Sequence, residues 1–362
     1  MPRYALLVLP ATNRVYAEAS VALTLAELGV CAETVLGGSL ADLGETRLGG
    51  VPYVTFTAER LDDRAVAYLS TLSSMYALFE LEGAEGAERV ESTDGAGAAA
   101  GMRLRPVTVR PPDRFDDDLL TIQKYSGKTN EYFTKLLLNV ALFSSASASA
   151  MFDRRLHVFD PLCGRGTSLN QALMYGYDAA GIELDGKDVE AYAGFIRTWL
   201  KRKRLKHKAD FTPVRRDHKV IGRRLEVSLA AEKEAYKAGD VQSLVVVSGD
   251  STRARDFFRP RSFDVVVTDA PYGVQHGSRS EGAGLSRRPL DLLAAAVPGW
   301  VELLRPGGTL GISWNTFVAK RDELVAVLEA AGLGVCDSGP YHGFRHRVDQ
   351  AIVRDLVVAR RP

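Results

Sequence analysis

Apolar positions in the first 80 residues follow strand-like and helix-like spacings in turn. Short apolar runs at residues 4–9 and 51–57 predict two strands. Apolar residues three or four positions apart over 17–28 predict a helix, and the pattern over 63–78 predicts a second one. Alternating strands and helices over so short a stretch predict a small α+β domain at residues 1–82.

A segment with few large apolar side chains follows this domain. Residues 83–101 are dominated by glycine and alanine, and such a segment buries too little surface to offset the entropy of ordering. With Pro111 and Pro112 close behind it, the segment predicts a linker over residues 83–115. Helical spacing returns at residues 130–144.

From residue 156 onward, short β-rich runs are separated by helical stretches. This alternation is typical of a parallel sheet with helical crossovers. The sequence predicts an open, doubly wound α/β sheet within residues 116–362, where ligands bind beyond the carboxyl ends of the strands. Its seven candidate strands are residues 157–159, 180–183, 243–248, 263–268, 309–313, 333–336 and 352–359.

Composition adds limits to this picture. Among 362 residues, 46% are hydrophobic and 25% charged, as in ordinary globular proteins. The three cysteines lie far apart, which argues against a disulfide framework or a structural zinc site and favours a reducing compartment. We therefore expect no metal site and a cytoplasmic location. No apolar run approaches the roughly 20 residues of a membrane span, so no membrane association is expected.

Positive charge is concentrated in one part of the chain, although the net charge is only +1. Residues 197–224 contain 12 lysines and arginines against two aspartates, within a predicted basic insertion at about 197–240. Such runs are often solvated faces, but this one follows the second strand of the sheet, near the expected ligand edge, and would attract phosphate groups. The candidate nucleic-acid contacts are Lys201, Arg202, Lys203, Arg204 and, in a second basic cluster, Arg345 and Arg347.

The ends of three predicted strands carry candidate ligand-binding residues. In the loop DPLCGRGTS, which begins at Asp160, the glycines at 164 and 166 let the backbone approach a ligand closely. The loop has neither the GxGxxG pattern of dinucleotide binding nor a phosphate-loop lysine. Glu183 ends the second strand, where an acidic side chain accepts hydrogen bonds from ribose hydroxyls. Asp250 follows the third strand and either accepts from an adenine amino group or caps a turn.

The segment FDVVVTDAPYG, residues 263–273, carries the most specific chemistry. An amino group on a heteroaromatic ring is a poor nucleophile because its lone pair is delocalised into the ring. The carboxylate of Asp269 and the carbonyl of Ala270 can accept hydrogen bonds from the two N–H groups of such an amine, and the ring of Tyr272 can stack on the base. The alternative interpretation is a structural turn, stiffened by Pro271, beside a packed tyrosine.

Together, these loops resemble those of class I S-adenosylmethionine-dependent methyltransferases. In that family a DPxCGxGT loop contacts the cofactor, and a (D/N/S)PP(Y/F/W) motif marks methylation of exocyclic amino nitrogens. Within the class, the chain most resembles the tRNA guanosine-N2 methyltransferases, over residues 160–362 and more loosely over 116–143. The chain departs from the pattern at Ala270, where the family usually has proline.

The resemblance implies a fold, a cofactor and two sets of site residues. The fold is a doubly wound, seven-stranded Rossmann-like methyltransferase sheet with a smaller N-terminal α+β domain, either THUMP-like or a scaffold. The cofactor is S-adenosyl-L-methionine. The implied cofactor-binding residues are Asp160, Pro161, Cys163, Gly164, Gly166, Thr167, Glu183 and Asp250. The implied catalytic residues are Asp269, Ala270, Pro271 and Tyr272.

The resemblance also implies methylation of an exocyclic amino group of a nucleobase, and it favours N2 of guanosine in tRNA over other amino groups. Two alternatives stay open on the sequence: amino-methylation of DNA, and a cofactor-binding pseudoenzyme that recruits RNA or a protein. The partner expected is tRNA. A small activator protein and the oligomeric state are left open.

Overall fold

The computed structural model describes residues 1–9, 14–83, 102–216, 219–271 and 289–362. The chain divides into two units. The first consists of Met1–Pro112 with Asp337–Ala351, and the second of Asp113–Cys336 with Ile352–Pro362.

An antiparallel sheet of five strands forms the body of the first unit. Its elements are β1 (Arg3–Val8), α1 (Arg14–Thr34), β2 (Leu40–Leu48), β3 (Val51–Ala58), α2 (Asp63–Thr71), β4 (Met75–Glu82) and β5 (Arg103–Val107). The strand order is β2-β3-β1-β4-β5, with every neighbouring pair antiparallel. Within the described residues, α1 is the one helix long and apolar enough to cross a membrane. Most of it is buried, as in the core helix of a folded domain.

The second unit is built on a larger sheet. Up to Cys336 its elements are α3 (Asp118–Thr121), α4 (Glu131–Phe143), β6 (His157–Asp160), α5 (Thr167–Met174), β7 (Asp178–Glu183), α6 (Gly186–Arg202), β8 (Lys206–Arg216), β9 (Lys219–Ala230), α7 (Lys233–Lys237), β10 (Gln242–Ser248), β11 (Phe263–Asp269), α8 (Pro289–Leu303), β12 (Leu304–Asn315), α9 (Arg321–Ala330) and β13 (Gly334–Val335). The short strand β14 (His346–Arg347) belongs to the first unit, and β15 (Val353–Arg360) completes the second.

The strand order of the second unit fixes where a ligand can bind. The order is β13-β15-β12-β11-β6-β7-β10-β9-β8. The five central strands, β12 to β10, are parallel to one another. Each strand outside them pairs antiparallel with its neighbour. From β6 the chain proceeds to β7 on one side and later to β11 on the other, so the order reverses between β6 and β11. The crevice at their carboxyl ends is therefore the expected ligand position.

The core of this unit packs aromatic rings and helices against the central strands. Phe159 of β6 stacks on Phe263 of β11 with ring centroids 4.8 Å apart. Trp300 of α8 is fully buried, and its indole N–H donates to the carbonyl of Ser251 over 3.0 Å. Helix α4 is held against β12, because the Thr309 hydroxyl donates to the Ala141 carbonyl over 2.7 Å. These contacts fix α4, and hence the loop before it, relative to the strand ends.

A buried carboxylate joins several segments of the second unit. Asp264 accepts hydrogen bonds from Arg154 over 2.7 Å, Arg305 over 2.5 Å and the amide of His157 over 2.9 Å. Burial raises the pKa of Asp264, but these hydrogen bonds outweigh it and hold the pKa below its ordinary value. Asp264 therefore stays ionised and ties β11 to its neighbours.

All seven predicted strands of the large sheet are present, with end residues shifted by a few positions. The basic insertion predicted at about 197–240 contains the end of α6, the β8–β9 hairpin and α7, and the hairpin extends the sheet beyond β10. The linker predicted at 83–115 contains β5, because residues 103–107 pair with β4. The single helix predicted at 63–78 is wrong in its second half: α2 ends at Thr71, and β4 begins at Met75. The prediction for the first unit also missed β2.

Residues 337–351 depart from the predicted division of the chain. The sequence interpretation assigned them to the sheet domain, but they group with the first unit. The Ser338 hydroxyl donates to Glu33 of α1 over 2.6 Å. The rings of Tyr16 and His346 meet edge to face with centroids 6.1 Å apart. These side chains attach the segment to α1.

Candidate active site

Asp160 ends β6 and anchors the glycine loop that follows. Its side chain is buried and accepts hydrogen bonds from the Leu162 amide, over 3.0 Å, and from the Ser168 hydroxyl. Burial raises the pKa of Asp160 to about 6, and the nearby charge of Asp269 adds to the rise. Asp160 therefore holds both ends of the loop and changes charge near neutral pH.

The glycines of this loop are required by its backbone and its packing. Gly164 and Gly166 have φ angles of +50° and +80°, which favour glycine. A Cβ atom on Gly166 would lie 2.4 Å from the ring of Tyr192, whereas one on Gly164 would meet nothing within 4 Å. Gly166 thus permits packing against α6, and Gly164 leaves space beside the loop.

Cys163 is a packing residue. Burial raises the pKa of its thiol well above the ordinary value, so it is not a thiolate near neutral pH. A Cβ atom on Gly181 of β7 would lie 2.6 Å from its sulfur, which shows how closely the loop approaches that strand. The Cys163 amide also donates to the Ile182 carbonyl over 3.0 Å.

Glu183 links the glycine loop to the end of β7. One of its carboxylate oxygens accepts the Gly164 amide over 2.9 Å, and the other accepts the Asp185 amide over 2.8 Å. Burial raises the pKa of Glu183. Each oxygen keeps a further lone pair, so the side chain can still accept from a ligand hydroxyl.

Asp250 lies beside Glu183 at the neighbouring strand end. The Gly249 amide donates to the Glu183 carbonyl over 2.9 Å, which joins the ends of β10 and β7. The Asp250 carboxylate accepts from the amide and the hydroxyl of Thr252, over 2.9 and 2.8 Å. It therefore caps the 3₁₀ helix Ser251–Asp256, one of the two roles that the sequence left open.

Asp269 ends β11 and is held on both carboxylate oxygens. The Ser313 hydroxyl of β12 donates to Oδ1, and the Thr129 hydroxyl donates to Oδ2 over 2.6 Å. Arg354 of β15 places a guanidinium nitrogen 3.5 Å from Oδ2. The guanidinium is nearly buried and lies over the ring of Phe133, 4.4 Å from its centroid. The carboxylate thus has a fixed orientation and a countercharge.

The loop before α4 brings Thr129 to this position. The side chain of Asn130 accepts from the amides of Tyr132 and Phe133 and starts the helix. Just before it, Lys128 donates to the carbonyl of Leu120 over 2.6 Å. These contacts hold Thr129 against the end of β11.

The same loop also contacts the glycine loop. The guanidinium of Arg165 lies 4.8 Å from the ring centroid of Tyr125 and is paired with Asp188 over 2.7 Å. The Tyr125 hydroxyl is 3.2 Å from that of Thr167. Burial raises the pKa of Tyr125. Residues 125–129 therefore bridge the ends of β6 and β11.

One cavity of about 280 Å³ opens between these segments. Its volume is close to the lower end of the range for small-molecule sites. Its lining includes a carboxylate from each side, Asp160 and Asp269. The lining residues are Tyr125, Ser126, Gly127, Thr129, Thr134, Leu137, Asp160, Leu162, Cys163, Gly164, Arg165, Thr167, Ser168, Asp188, Thr268, Asp269, Ala270 and Pro271.

The cavity collects part of the residue set that the sequence predicted. From the glycine loop it includes Asp160, Cys163, Gly164 and Thr167, whereas Pro161 and Gly166 are buried behind it and Glu183 and Asp250 lie outside its lining. Asp269, Ala270 and Pro271 line it, and the Ala270 amide is fixed by donation to the Ser313 carbonyl over 2.8 Å. Tyr272 lies outside the described residues. Among the residues that are described, no group of three metal-ligating side chains occurs.

The predicted nucleic-acid contacts are scattered. Lys201 and Arg202 are exposed at the end of α6, with Arg204 just after it. Because α6 starts at the carboxyl end of β7, its last turn lies at the opposite edge of the sheet. The expectation that these residues lie near the ligand edge is therefore wrong.

The remaining predicted contacts also differ from the expectation. Lys203 is paired with Asp116 and Asp118, over 2.7 and 2.6 Å, so its charge is balanced. Arg345 and Arg347 are exposed on the segment 337–351, which belongs to the first unit. The expected second basic cluster therefore does not belong to the unit that holds the cavity.

Sequence reasoning missed three residues around Asp269. Thr129, Ser313 and Arg354 come from three distant segments, and the fold alone brings them to one carboxylate. A signal existed for Ser313, since it ends the predicted strand beside that of Asp269. Neither Thr129 nor Arg354 lies in a recognisable motif.

Comparison with known proteins gives one family match. Residues 138–306 match the family described as RMKL-like, methyltransferase domain. This stretch covers the glycine loop, β7 and the end of β11. No curated protein matches the chain.

Several solved structures are similar at low identity. TrmN from Thermus thermophilus aligns over 100% of both chains, with 14% identity and a TM-score of 0.41. A TehB-like SAM-dependent methyltransferase from Corynebacterium glutamicum has 16% identity, with 59% of this chain and 85% of that chain covered, and a TM-score of 0.32. The 1,6-didemethyltoxoflavin-N1-methyltransferase of Burkholderia thailandensis has 17% identity, with 60% and 76% covered, and a TM-score of 0.31.

Proposed function

Because the chain carries a class I S-adenosylmethionine-dependent methyltransferase domain, we propose that it methylates an exocyclic amino group of a nucleobase, that of guanosine N2 in tRNA. The observation that carries the proposal is the shared cavity: Asp269 and the glycine loop line the same space of about 280 Å³. A methyl donor and an amino acceptor must meet in one such place for direct transfer.

The residues of the glycine loop fit the cofactor, S-adenosyl-L-methionine. Gly164 lines the cavity, and a Cβ atom there would enter open space, so the loop leaves room for a ligand against its backbone. Glu183 has lone pairs left for ribose hydroxyls. Asp160, Pro161, Cys163, Gly164, Gly166, Thr167, Glu183 and Asp250 would form the cofactor site. When bound, the cofactor supplies a methyl group on a positively charged sulfur.

At the other side of the cavity, Asp269 would act on the amino group of the base. Its carboxylate would accept a hydrogen bond from an N–H group of the amine. This favours a nitrogen whose lone pair is available for attack. The bound cofactor would supply its methyl group to this nitrogen and leave as a neutral thioether, and the Asp269 carboxylate would accept the amine proton that is released. The carbonyl of Ala270 would accept the second N–H, Pro271 would stiffen the turn, and Tyr272 would stack on the base.

Thr129, Ser313 and Arg354 would act by positioning. Each fixes the Asp269 carboxylate or balances its charge, and none of them is required to touch the base. Such positioning matters because an effective attack geometry contributes much of the rate in a direct transfer.

The choice of tRNA rests on the sequence. The motifs at 160–168 and 269–273 resemble those of tRNA guanosine-N2 methyltransferases, and residues 197–224 hold a surplus of positive charge. A base in a structured RNA must leave its stack to enter the cavity, at a cost of a few kcal/mol. Stacking and hydrogen bonds in the cavity offset that cost.

One assay tests the proposal. The purified chain is incubated with methyl-labelled cofactor and either unmodified tRNA transcripts or DNA duplexes, and the product nucleosides are identified by mass spectrometry. We expect N2-methylguanosine from tRNA, and a kcat about 10²- to 10⁴-fold lower for Asp269→Asn. Label on DNA alone would indicate the DNA enzyme. Cofactor binding without transfer to either nucleic acid would indicate a pseudoenzyme.

A further inference from the structure

The tip of the β8–β9 hairpin is rich in positively charged residues. The tip, residues 213–224, has the sequence PVRRDHKVIGRR, with five arginines and lysines and one aspartate. Arg215 and Lys219 are exposed, and no carboxylate in the described part of the chain pairs with either. Val220, which pairs with Arg215 across the hairpin, is 55% exposed.

Strand directions bring this tip to the ligand edge of the sheet. β9 is antiparallel to β10, and β8 is antiparallel to β9, so β8 runs in the same direction as the parallel strands. Arg216 at the end of β8 and Lys219 at the start of β9 therefore lie at the carboxyl edge, where Glu183 and Asp269 end their strands. The basic end of α6 lies at the opposite edge.

The tip also projects beyond its neighbour. The last pair of β9 with β10 joins Arg224 to Val247, whereas β9 stays paired with β8 as far as Lys219. Because β10 ends at Ser248, one residue beyond that pair, residues 219–222 of β9 extend past it, by about 13 Å at 3.3 Å per residue.

Packing braces the base of this projection. A Cβ atom on Gly222 would lie 2.1 Å from the Ser248 carbonyl oxygen, so the hairpin touches the end of β10 with no side chain between. The guanidinium of Arg223 lies 4.3 Å from the ring centroid of Phe211 and pairs with Glu190 of α6 over 2.8 Å. The tip is thus held at the carboxyl edge.

The body of the hairpin is electrically balanced, in contrast to the tip. In the body, residues 206–212 and 225–230, two lysines stand against two acidic residues, and Lys208 pairs with Asp210 over 3.0 Å. At the base of the tip, Arg224 pairs with Glu226 over 2.6 Å. Unbalanced positive charge on an arm that projects from the same edge of the sheet as the cavity is suited to phosphate groups.

From this arrangement, and on the basis of the proposed function, we propose that the hairpin tip binds the phosphate backbone of the RNA substrate through Arg215 and Lys219. Four strand spacings separate β9 from β11, about 19 Å in all. At about 3.4 Å per stacked nucleotide, this distance corresponds to roughly six nucleotides. The tip therefore contacts phosphates about six nucleotides from the base that enters the cavity.

The test compares charge reversals at the two edges of the sheet. One variant carries Arg215→Glu with Lys219→Glu. The matched control carries Lys233→Glu with Lys237→Glu on α7, which follows β9 at the opposite edge and changes the net charge equally. A third variant reverses Lys201 and Arg202, the contacts that the sequence predicted. Circular dichroism and thermal melts verify that each variant is folded.

Steady-state methylation of an unmodified tRNA transcript gives KM and kcat, and calorimetry gives the Kd of the cofactor. For the tip variant we expect a KM for tRNA at least tenfold higher, with kcat within twofold and an unchanged cofactor Kd. The slope of log binding constant against log salt should fall by about two. The α7 control should match the wild type.

Each other outcome overturns the inference. An unchanged KM for the tip variant, with an active wild type, would refute the tip contact and leave the proposed function intact. The same would follow if only the Lys201 and Arg202 variant raised KM, or if the tip variant weakened cofactor binding instead. A wild-type chain that neither binds nor methylates tRNA would refute both the proposed function and the tip contact.

Discussion

The hydroxyl of Thr129 gives a sharp test of how Asp269 is held. Thr129 donates to Oδ2 of Asp269 over 2.6 Å, although the two residues are 140 positions apart in the sequence. Thr129→Val keeps the shape of the side chain and removes the donor. Oδ1 keeps its hydrogen bond from Ser313, so the carboxylate stays at the end of β11 but loses the short hydrogen bond that orients Oδ2.

The size of the effect follows from the hydrogen bond that is lost. A hydrogen bond to a charged group contributes about 1.5–3 kcal/mol. Arg354 does not replace it, because its nitrogen is 3.5 Å from Oδ2, at the limit of a hydrogen bond. Thr129 and Asp269 are half-buried, so water substitutes in part and the lower figure applies. At about 1.36 kcal/mol per tenfold change, kcat should fall by about tenfold.

Steady-state methylation of unmodified tRNA measures this loss. We expect a lower kcat with little change in KM, because the orientation of the carboxylate matters most in the transition state. Thr129→Ser keeps the donor and should retain most of the activity. Thr121→Val removes a hydroxyl that donates to the Asp117 carbonyl on the exposed surface, and serves as the control.

Two results would refute the reasoning. A folded Thr129→Val variant with kcat within twofold of the wild type would mean that the hydroxyl does not position Asp269. An equal loss in Thr129→Ser and Thr129→Val would mean that the side chain acts through packing and not through its hydrogen bond.

Three further predictions concern stability and pH. Gly166→Ala should lower the free energy of unfolding in urea by about 2–5 kcal/mol, from its positive φ and the clash with Tyr192; Gly37→Ala, with a positive φ and open space, should lose only the backbone part. Asp264→Asn should cost about 2 kcal/mol at pH 7, since its arginine partners are partly exposed. Because its folded pKa is lowered, this difference should begin to shrink as pH falls below about 4 and should vanish only below the lowered pKa. The pKa of Asp160 is about 6, so the affinity for the cofactor, measured by calorimetry, should fall by up to tenfold for each pH unit below 6. Asp160→Asn should abolish that pH dependence.

The large sheet was predictable because its strands are apolar runs of a length that buried parallel strands require. The β8–β9 hairpin escaped prediction because its charges dominate the local pattern. A signal was nevertheless present in β9, where Leu225, Val227 and Leu229 alternate with polar residues and are all buried. The alternation of apolar and polar residues in β9 is the pattern of a strand with one face in the core.

The candidate site was predictable only where a loop directly follows a strand. Asp160 and Asp269 end adjacent parallel strands, so their shared cavity follows from the strand order. Thr129 reaches the site through the packing of α4, which no local pattern reveals. Lys201 and Arg202 were expected near the ligand edge because they follow β7 closely in sequence, but the 17 residues of α6 carry the chain to the other edge.

The segment 337–351 affects the order in which the chain can fold during synthesis. A ribosome adds about 5–20 residues per second, and N-terminal domains generally fold first. Here α1 acquires contacts from Ser338 and His346 only after more than 300 residues have been made. The N-terminal part must therefore persist without this segment while the sheet of the second unit is being translated, and any truncation that removes the chain's last 30 residues takes away a piece of its first domain.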